Sequence, residues 1–540
     1  METSGADLIE SGAESGALIA QLREENGSLA QALEHTHQAL TDTHKELRHA
    51  CLERDLFKEQ LAAYLRRLYA ARSEKSNVRT ADLFFNEAEA LSPATDAGVD
   101  AVVAGEVAVK VPAHTRRRGG RKPLSADLPR TVIRHELPVG ERVCAEDGAL
   151  LTEIGVEVCE QLDIVPATLR VIRHERVKYA CPCCRQGVVV APRPAQITPK
   201  GLFSEGALAH IITAKYQDAL PLYRQAVMLK RCGGNIARHT LAANVIRVGA
   251  AVTPLINLLR EQLLLASVLQ GDETELQVCK EPGRRAQAKS WLWLILSATG
   301  PPIRLFTYAA SRATPTALAL YAEAQGALMS DGYEPYDAVA KGYHLTHLGC
   351  WAHARRRFVE AQAVLPKEQR GAEHPASLML ARIGELYAVE ARARELDPAA
   401  RQDLRQQHSR AVLERIEQQL LAQREDVAPQ SQLGKAYYYL ASQWPKLVRY
   451  LEDGRYPIDN NAAENAIRPF VIGRKNWLFA DTVKGAEASA NLYSLIETAK
   501  ANGIEPYHYL TRVFTDLPRA RTVEDIERLL PWNLSAPGQT

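Results

Sequence analysis

The first 72 residues repeat an apolar position every seven residues on an otherwise polar background. Two leucine series offset by four positions form the a and d seam of a coiled coil, interrupted once by Arg54. The series consist of Leu22 and Leu29, then Leu33, Leu40, Leu47, Leu61 and Leu68. No proline precedes Pro93, so no proline breaks the pattern. The pattern predicts one long helix over 5–72, which either self-associates as a coiled coil, the interpretation we favour, or packs on its own protein.

A linker is predicted over 73–124. Residues 86–124 are rich in Ala, Gly, Pro and Val, and they end in a basic run. The run consists of Arg116, Arg117, Arg118, Arg121 and Lys122. Such a run is either a solvated linker, which is its commoner meaning, or a segment that inserts arginine into the minor groove of DNA.

Short β-branched runs and clustered cysteines replace the helical pattern over 125–195. A pair of Cys-x-x-Cys turns would bind zinc strongly, because four thiolates complete its tetrahedral shell. Only the second turn is complete, since the first has aspartate in place of its second cysteine. We predict a zinc-ribbon-like segment with one structural Zn²⁺, and loss of the metal is the alternative. The candidate ligands are Cys144, Cys181, Cys184 and, as the fourth, Asp147 or Cys183.

A helix-turn-helix is the hypothesis for residues 196–262. One helical pattern runs from Leu222 to Arg231, Cys-Gly-Gly-Asn follows at 232–235, and a second pattern runs from Ile236 to Val248. Helix pairs joined by glycine turns are also common in ordinary helical cores. If the pair binds DNA, its second helix enters the major groove. The candidate contacts on that helix are Arg238, His239, Asn244 and Arg247.

From residue 268 the pattern changes to strands joined by turns. Three apolar runs are followed by a helix that begins at Thr314-Pro315 and by a short fourth strand. The four strands are Val268 to Val278, Trp291 to Ser297, Ile303 to Tyr308 and Leu328 to Ser330. This is the element order of a ribonuclease-H-like α/β fold, in which the first and fourth strands lie side by side.

An acidic residue lies on each of those two strands. Asp272 is inside the first strand, where aspartate is disfavoured, and Asp331 follows the fourth. If the strands are neighbours, the two carboxylates converge on the same metal ions. The alternatives are an edge or turn role for each aspartate, and Glu273 and Glu275 are rivals of Asp272.

After a fifth predicted strand, Tyr343 to Leu348, the segment 360–452 is strongly helical and is predicted to be an all-helical insertion. Cys350 and His353 precede it with Cys-x-x-His spacing. Two ligands do not make a metal site, so a buried cysteine and a structural histidine are an equal alternative.

Beyond the insertion, Asp459-Asn-Asn461 stops the chain and starts a helix that contains Glu464. Glu464 is either a third metal ligand or the carboxylate of a capping box begun by Asn461. Glu487 and Glu497 are rivals for the same role. Basic residues of this region suit phosphate contacts. They are Arg468, Arg474 and Lys475.

The composition is that of a soluble globular chain of several domains. Its 540 residues are 46% hydrophobic and 24% charged, which excludes a wholly disordered or fibrous protein. The net charge of +2 identifies no partner. The N-terminus lacks a basic and an apolar region, and the longest apolar stretch is too short to span a membrane. We therefore expect a cytoplasmic chain with no membrane partner, whose nine cysteines suit metal binding better than disulfides.

Several longer motifs occur in a fixed order along the chain. In the C-terminal half they are Gly271-Asp-Glu-Thr274, Ser330-Asp-Gly-Tyr333, Gly349-Cys-Trp-Ala-His-Ala-Arg-Arg-Arg-Phe358, Asp459-Asn-Asn-Ala-Ala-Glu464, Gly473-Arg-Lys-Asn-Trp-Leu-Phe479, Tyr493-Ser-Leu-Ile-Glu-Thr498 and Leu529-Leu-Pro-Trp-Asn533. Upstream they are Ala71-Arg-Ser-Glu-Lys75, Gly120-Arg-Lys-Pro123, Glu160-Gln-Leu-Asp163 and Leu220-Pro-Leu-Tyr-Arg-Gln225. In these motifs the sequence resembles the IS66-family transposases, which are DDE recombinases of bacterial insertion sequences.

The resemblance implies a catalytic triad of Asp272, Asp331 and Glu464 that holds two Mg²⁺ or Mn²⁺ ions per active site. It implies a transposase that binds terminal inverted repeats, cleaves DNA to free 3′-OH ends and joins them to target DNA by two-metal phosphoryl transfer. Cys350 and His353 would be accessory. Further DNA contacts are expected from Arg355, Arg356, Arg468, Arg474 and Lys475. Asp147 departs from the family, which usually has cysteine there.

The implied partners are double-stranded DNA, both element ends and target, a second copy of the chain through the coiled coil, and accessory proteins encoded by the element. The location would be the bacterial cytoplasm, near the nucleoid. Two other function classes stay open: a repressor-like DNA-binding protein with an inactive nuclease core, and a structure-specific nuclease without strand transfer. The predicted division is a coiled-coil helix over 1–72, a basic linker over 73–124, a zinc-ribbon-like segment over 125–195, a helix-turn-helix over 196–262, a catalytic domain over 263–510 with its insertion at 360–452, and a C-terminal element over 511–540.

Overall fold

The computed structural model shows a mixed α/β protein with a long N-terminal helix. It describes residues 6–69, 130–136, 168–180, 188–366, 370–424 and 426–534, with the single positions 149, 156, 159 and 161. The five candidate zinc ligands and the basic linker lie outside the described residues.

The heptad pattern forms a single helix, α1 (Ala6–Tyr69), as predicted. The seam leucines from Leu22 to Leu61 are exposed in the single chain, with Leu33 at 71% and Leu40 at 54%. Polar contacts join α1 to the rest of the protein: Arg48 pairs with Asp426 at 3.0 Å, and the Glu59 carboxylate accepts from the Gln432 backbone N–H at 2.9 Å. These contacts leave the leucine seam uncovered, and the coiled coil remains a prediction.

A short antiparallel hairpin is the described part of the zinc-ribbon-like segment. Strand β1 (Lys178–Ala180) pairs with β2 (Val188–Val190), and residues 181–187 between them, with Cys181 to Cys184, are outside the described part of the chain. The β-branched run from Thr168 to Arg173 is not a strand. Whether the segment has the shape of a zinc ribbon stays a prediction.

Four helices precede the sheet: α2 (Glu205–Tyr216), α3 (Leu222–Arg231), α4 (Arg238–Ala251) and α5 (Thr253–Leu264). Helices α3 and α4 form the predicted pair, joined through Gly233, whose φ of 90° suits glycine. Their apolar faces belong to the same core as the sheet. In the part of the chain that is described, no single helix is long and apolar enough to cross a membrane, and only the bent pair α4 and α5 meets that test jointly.

The predicted sheet is present, and its strand order places the first strand in the centre. Strands β3, β4 and β5 form an antiparallel meander, and β6 and β7 extend the sheet in parallel on the other side of β3, giving the order β5-β4-β3-β6-β7. A short strand, β8, pairs with the far end of β3. The bounds are β3 (Val268–Lys280), β4 (Lys289–Ser297), β5 (Arg304–Ala309), β6 (Ala327–Ser330), β7 (Thr346–Gly349) and β8 (Ala480–Thr482).

Helices cover the sheet: α6 (Thr314–Leu320) and α7 (Glu334–Gly342) flank β6, and the C-terminal helices are α12 (Asn461–Trp477), α13 (Val483–Ala501), α14 (Pro506–Asp516) and α15 (Val523–Glu527). Helix α13 packs on β5, where the Phe306 backbone N–H donates to the Ser494 hydroxyl at 2.8 Å. Gly326 permits the close approach before β6, because a Cβ there would lie 2.2 Å from the Ser267 carbonyl.

The predicted insertion is helical where it is described. It contains α8 (Trp351–Ala363), α9 (Pro375–Ala393), α10 (Pro398–Gln423), α11 (Gln432–Leu447) and a 3₁₀ turn at Val448–Leu451. These elements share their own hydrophobic core, which includes Trp351, Phe358, Ile383 and Tyr437. The first of its helices begins at Trp351, earlier than the predicted start at 360. The insertion is therefore a second packed unit between β7 and α12.

Candidate active site

Asp272 and Asp331 lie level with each other at one end of the sheet. Strands β3 and β6 pair in parallel, and Gln270 and Met329 are the last register partners. Each aspartate lies two residues beyond its member of that pair. The expectation that the first and fourth strands are neighbours is confirmed, and it places both carboxylates where β6 has ended and β3 continues.

The Asp331 turn holds its carboxylate in a fixed orientation. Gly332 has a φ of 91°, a backbone conformation that favours glycine. The Asp331 carboxylate accepts from the Tyr333 backbone N–H at 2.9 Å. The Asp331 carbonyl accepts from the Tyr439 hydroxyl at 2.8 Å. Asp331 is thus a turn residue, and its charge also contributes to the raised pKa of Asp272.

Glu464 lies in the first turn of α12, but it is not a capping-box residue. The N-cap is Asn460, which makes no side-chain capping bond, so the capping-box interpretation of Glu464 is wrong. Its carboxylate instead points to α8, where one oxygen accepts from Arg356 at 3.1 Å. The other oxygen, Oε1, lies 3.6 Å from Nδ1 of His353 and has no hydrogen-bond donor although it is buried.

The three predicted acids share one electrostatic environment. The pKa of Asp272 is raised well above its usual value, first by burial and then by the charges of Glu273, Glu464 and Asp331. Burial penalises a charged carboxylate, and nearby negative charges add to that penalty. A cluster of this kind binds protons or cations readily.

The rivals of Asp272 lie on the opposite face of β3, as strand alternation requires. Glu273 accepts a hydrogen bond from the Tyr336 hydroxyl at 2.7 Å. Burial, with the charge of Asp331, raises the pKa of Glu273 to about 7, although Tyr336 and Arg312 oppose the shift. Glu275 is exposed and pairs with Lys289 at 2.7 Å.

The rivals of Glu464 are placed differently. Glu497 is buried on α13 and pairs with Lys500 at 2.9 Å, while burial raises its pKa. Glu487 is exposed on the same helix. Of these three glutamates, Glu464 is the one whose charge contributes to the raised pKa of Asp272.

Cys350 and His353 both contact the segment that contains Glu464. The buried Cys350 sulfur accepts from the Asn460 backbone N–H at 3.2 Å, and burial raises the pKa of its thiol. Burial lowers the pKa of His353, against the opposing effect of Glu464. The structure thus shows a buried cysteine and a histidine facing an acid. The sequence analysis did not single out Asn460, which bonds to Cys350 and to Gly271 beside Asp272. The available sequence signal was the pair of asparagines that follows Asp459.

The predicted DNA contacts on α4 divide by exposure. Arg238, His239 and Arg247 are exposed. Asn244 is only 5% exposed, and its amide donates to the Thr240 carbonyl at 2.8 Å. The prediction that Asn244 contacts a groove is wrong for this arrangement, because its side chain faces the core of the helix pair.

The other predicted contacts lie on α8 and α12. Arg356 is engaged by Glu464, whereas Arg355 and Arg468 are half-buried on α8 and α12. Arg474 donates to the Thr274 hydroxyl at 3.3 Å and also to the Glu275 carbonyl. Lys475 is exposed.

The donor set suits a hard divalent cation. Magnesium prefers carboxylate oxygens, and the buried, donor-free Oε1 of Glu464 is an acceptor of the required kind. Among the described residues, no three His, Cys, Asp or Glu side chains come close enough together to hold one ion. Glu464 is turned towards Arg356 and His353, so ion binding by the triad would require Glu464 to exchange those contacts for the metal.

Comparisons with known proteins identify the family. A model described as "Transposase IS66 family" matches residues 200–488, and one described as "IS66 C-terminal element" matches 494–532. The "zinc-finger binding domain of transposase IS66" matches 141–185. A leucine-zipper model described as "Transposase C of IS166 homeodomain" matches 56–133, the end of α1 and the linker rather than the whole heptad region.

Relatives of similar length exist in Sinorhizobium fredii. The uncharacterized protein y4jD is 32% identical over 424 residues, which cover 76% of this chain and 82% of the relative. The uncharacterized protein y4qI is 32% identical over 448 residues, which cover 78% of this chain and 81% of the relative. The family model covers more than half of this chain, and the matched range includes Asp272, Asp331 and Glu464. The chain therefore belongs to the IS66 family of DDE transposases.

Proposed function

We propose that this chain binds the terminal inverted repeats of an insertion sequence, cleaves the DNA to free 3′-OH ends and joins these ends to target DNA. Asp272, Asp331 and Glu464 are the catalytic acids of the proposal. The observation that supports it most is the raised pKa of Asp272, which burial and the charges of Asp331 and Glu464 cause together. Such a cluster of partly buried carboxylates is typical of functional sites.

Two divalent ions, when bound, supply a clamp that stabilises the attacking and leaving oxygens of an in-line phosphoryl displacement. Asp272 is on the central strand, and the charges of Asp331 and Glu464 both raise its pKa, so it would serve both ions. Asp331 and Glu464 would each serve one. Arg356 donates to the Glu464 carboxylate at 3.1 Å and His353 lies 3.6 Å from it, so these two side chains orient Glu464.

The chain needs no nucleophile of its own in this reaction. Water attacks the phosphodiester in the cleavage step, and the freed 3′-OH attacks target DNA in the joining step. The task of the protein is to position the phosphate and to stabilise charge. Arg355 on α8 and Arg468 and Lys475 on α12, the helices of Arg356 and Glu464, are proposed phosphate contacts, because basic side chains supply most of such binding.

Recognition of the element ends is proposed for α3 and α4. The exposed Arg238, His239 and Arg247 share the second helix of this pair, which is the position of a recognition helix. One structural Zn²⁺ in the segment matched by the zinc-finger model would add a second DNA-binding unit. The exposed leucine seam of α1 would pair two copies, so that two ends meet in one complex.

A strand-transfer assay tests the proposal. A labelled duplex from the DNA that flanks the gene would be incubated with wild type or Asp331→Asn, in Mg²⁺ or Mn²⁺, with a supercoiled target. We expect metal-dependent cleavage and joining by wild type, and binding alone by Asp331→Asn. Cleavage without joining would favour a structure-specific nuclease. End-specific binding with no cleavage in either metal, with or without proteins encoded by the element, would favour a repressor-like protein.

A further inference from the structure

We propose that Asn460 is a positioning residue, which fixes the spacing between the strand of Asp272 and the helix of Glu464. The inference rests on the proposed function, because it takes these two acids as ligands of the same metal centre. Asn460 itself would touch neither the ions nor the DNA. Nothing in the family comparison assigns a role to this residue.

Asn460 contacts three separate parts of the site. Its side-chain amide donates to the carbonyl of Gly271, the residue directly before Asp272, at 2.8 Å. Its carbonyl accepts from the Glu464 backbone N–H at 3.2 Å, as the opening bond of α12. Its backbone N–H donates to the Cys350 sulfur at 3.2 Å. One buried residue, 1% exposed, therefore links the first acid, the third acid and the insertion.

The residues next to Asn460 also bond both to the sheet and to the insertion. The Gln270 side chain donates to the Asp459 carbonyl at 2.9 Å, which gives a second bond between β3 and the turn. The Tyr387 hydroxyl, on α9 of the insertion, donates to the Asp459 carboxylate at 2.9 Å. The backbone N–H of Trp351 donates to the Ile458 carbonyl at 3.2 Å. The turn cannot shift without breaking bonds to both the sheet and the insertion.

The second polar atom of the Asn460 side chain, Oδ1, is buried and has no hydrogen-bond partner among the described residues. A buried acceptor without a donor does not stabilise a fold. The contact that argues for asparagine at this position is therefore the amide hydrogen bond to Gly271.

This arrangement also gives the Cys-x-x-His pair a role that needs no metal. Cys350 accepts the bond that orients Asn460, and His353 faces the Glu464 carboxylate at 3.6 Å. The cysteine thus acts on the acid through Asn460, and the histidine acts on it directly. Serine in place of Cys350 would keep an acceptor, whereas alanine would remove it.

The test measures manganese binding in the full-length protein, by the loss of the electron paramagnetic resonance signal of free Mn²⁺. The variants are Asn460→Ala and Asp272→Asn, with Asn461→Ala as the matched control. The Asn461 amide bonds to Asp459 at 2.7 Å, within the turn, and not to the strand of Asp272. Cleavage over a Mg²⁺ titration and thermal unfolding would be recorded for the same proteins.

We expect Asn460→Ala to lose about 10-fold or more in Mn²⁺ affinity, the usual cost of removing a residue that orients metal ligands. Its cleavage should need more Mg²⁺ than wild type needs, while end-specific DNA binding stays the same. Asn461→Ala should behave as wild type. A purely structural role would lower the unfolding temperature and leave the affinity of the folded fraction unchanged.

Wild-type Mn²⁺ affinity in Asn460→Ala would overturn the inference, and so would an equal loss of Mn²⁺ affinity in Asn461→Ala. If Asn460→Ala does not fold, equal Mn²⁺ affinities in Cys350→Ala and Cys350→Ser would overturn it. The Asp272→Asn variant separates this failure from that of the proposed function. If Asp272→Asn loses Mn²⁺ affinity and Asn460→Ala does not, only the positioning role is wrong. If Asp272→Asn binds Mn²⁺ as wild type does, the acids are not metal ligands and both proposals are wrong.

Discussion

The hydroxyl of Tyr439 donates a hydrogen bond of 2.8 Å to the backbone carbonyl of Asp331. Tyr439 lies on α11 of the helical insertion, whereas Asp331 ends a strand of the sheet. The same insertion contacts Glu464 through Arg356 at 3.1 Å. The segments of two of the three proposed catalytic acids are therefore held by residues outside the sheet, and the insertion is part of the frame of the site.

Removal of the Tyr439 hydroxyl should loosen the turn that holds Asp331. Tyr439→Phe keeps the ring and loses one hydrogen bond, so we expect a loss of about 1 kcal/mol in the free energy of unfolding. Cleavage should slow by up to about 5-fold, since about 1 kcal/mol corresponds to roughly this factor in rate. Single-turnover cleavage and denaturant unfolding would measure both. Tyr438→Phe is the control, because Tyr438 is 76% exposed, and an equal effect there would contradict the assignment.

The identity of the third acid can be tested within one region of the chain. Glu464→Gln should abolish strand cleavage and leave DNA binding intact, because it removes a charged oxygen ligand and keeps the shape of the side chain. Glu487→Gln changes an exposed glutamate on α13 and should cleave as wild type does. Gel-shift and cleavage assays on one labelled end would compare them. Retained cleavage by Glu464→Gln would remove this residue from the triad.

The sheet and the position of two acids follow directly from local sequence pattern. Apolar runs predict β3, β4, β5 and β6. In a ribonuclease-H-like fold the first and fourth strands are adjacent, which predicts that Asp272 and Asp331 lie level with each other. Both are confirmed by the register that ends at Gln270 and Met329. These features are predictable because strand alternation and turn residues act over a few positions.

The parts that sequence pattern misses depend on contacts between distant segments. Asn244 has the spacing of a groove contact, but the packing of α4 turns it inward. Glu464 has capping-box spacing, but its carboxylate instead contacts Arg356, on the first helix of the insertion. The role of Asn460 depends on Gly271, which is far away in the chain. Periodicity contains no information on such pairs.

The zinc-ribbon-like segment gives a prediction on metal content. If Asp147 is the fourth ligand, the purified protein should contain about one zinc ion per chain, and Cys181→Ser should lose it. Asp147→Cys should hold zinc more tightly against a chelator, because thiolate is a softer ligand that zinc prefers to carboxylate. Atomic absorption and a chelator competition would measure both. Equal zinc content in wild type and Cys181→Ser would contradict the ligand assignment.

The exposed seam of α1 predicts self-association of the full chain. Leu33 and Leu40 are more than half exposed, and lysine at both positions would place charges in the seam. We expect the double variant Leu33→Lys/Leu40→Lys to sediment as a monomer at concentrations where wild type is a larger species. A control with lysine at Gln38, on the polar side of the helix, should sediment as wild type. Wild type that stays monomeric at high concentration would contradict the coiled coil.

A buried histidine beside the second acid predicts a loss of stability in acid. His347 lies with Nε2 2.8 Å from the Ser330 hydroxyl and Nδ1 2.9 Å from the Asp337 carboxylate. Burial, aided by the charges of Lys446 and Arg449, lowers its pKa from 6.5 to about 4, although Asp337 opposes the shift.

A histidine whose folded pKa is lowered contributes stability that is complete above its unfolded pKa and is lost as pH falls through its folded pKa. The free energy of unfolding should therefore fall between pH 6.5 and about 4, by up to about 3 kcal/mol from this one group. The asparagine in His347→Asn cannot take up a proton. The unfolding free energy of this variant should therefore fall less than that of wild type over the same pH range, and the difference is the contribution of His347. Urea unfolding at pH 7 and pH 4 measures the difference, with His344→Asn at an exposed position as the control. The neutral form of His347 is favoured in the folded protein because a protonated ring would be buried near the charges of Lys446 and Arg449. If wild type and His347→Asn lose equal stability on acidification, protonation of His347 is not what opposes folding.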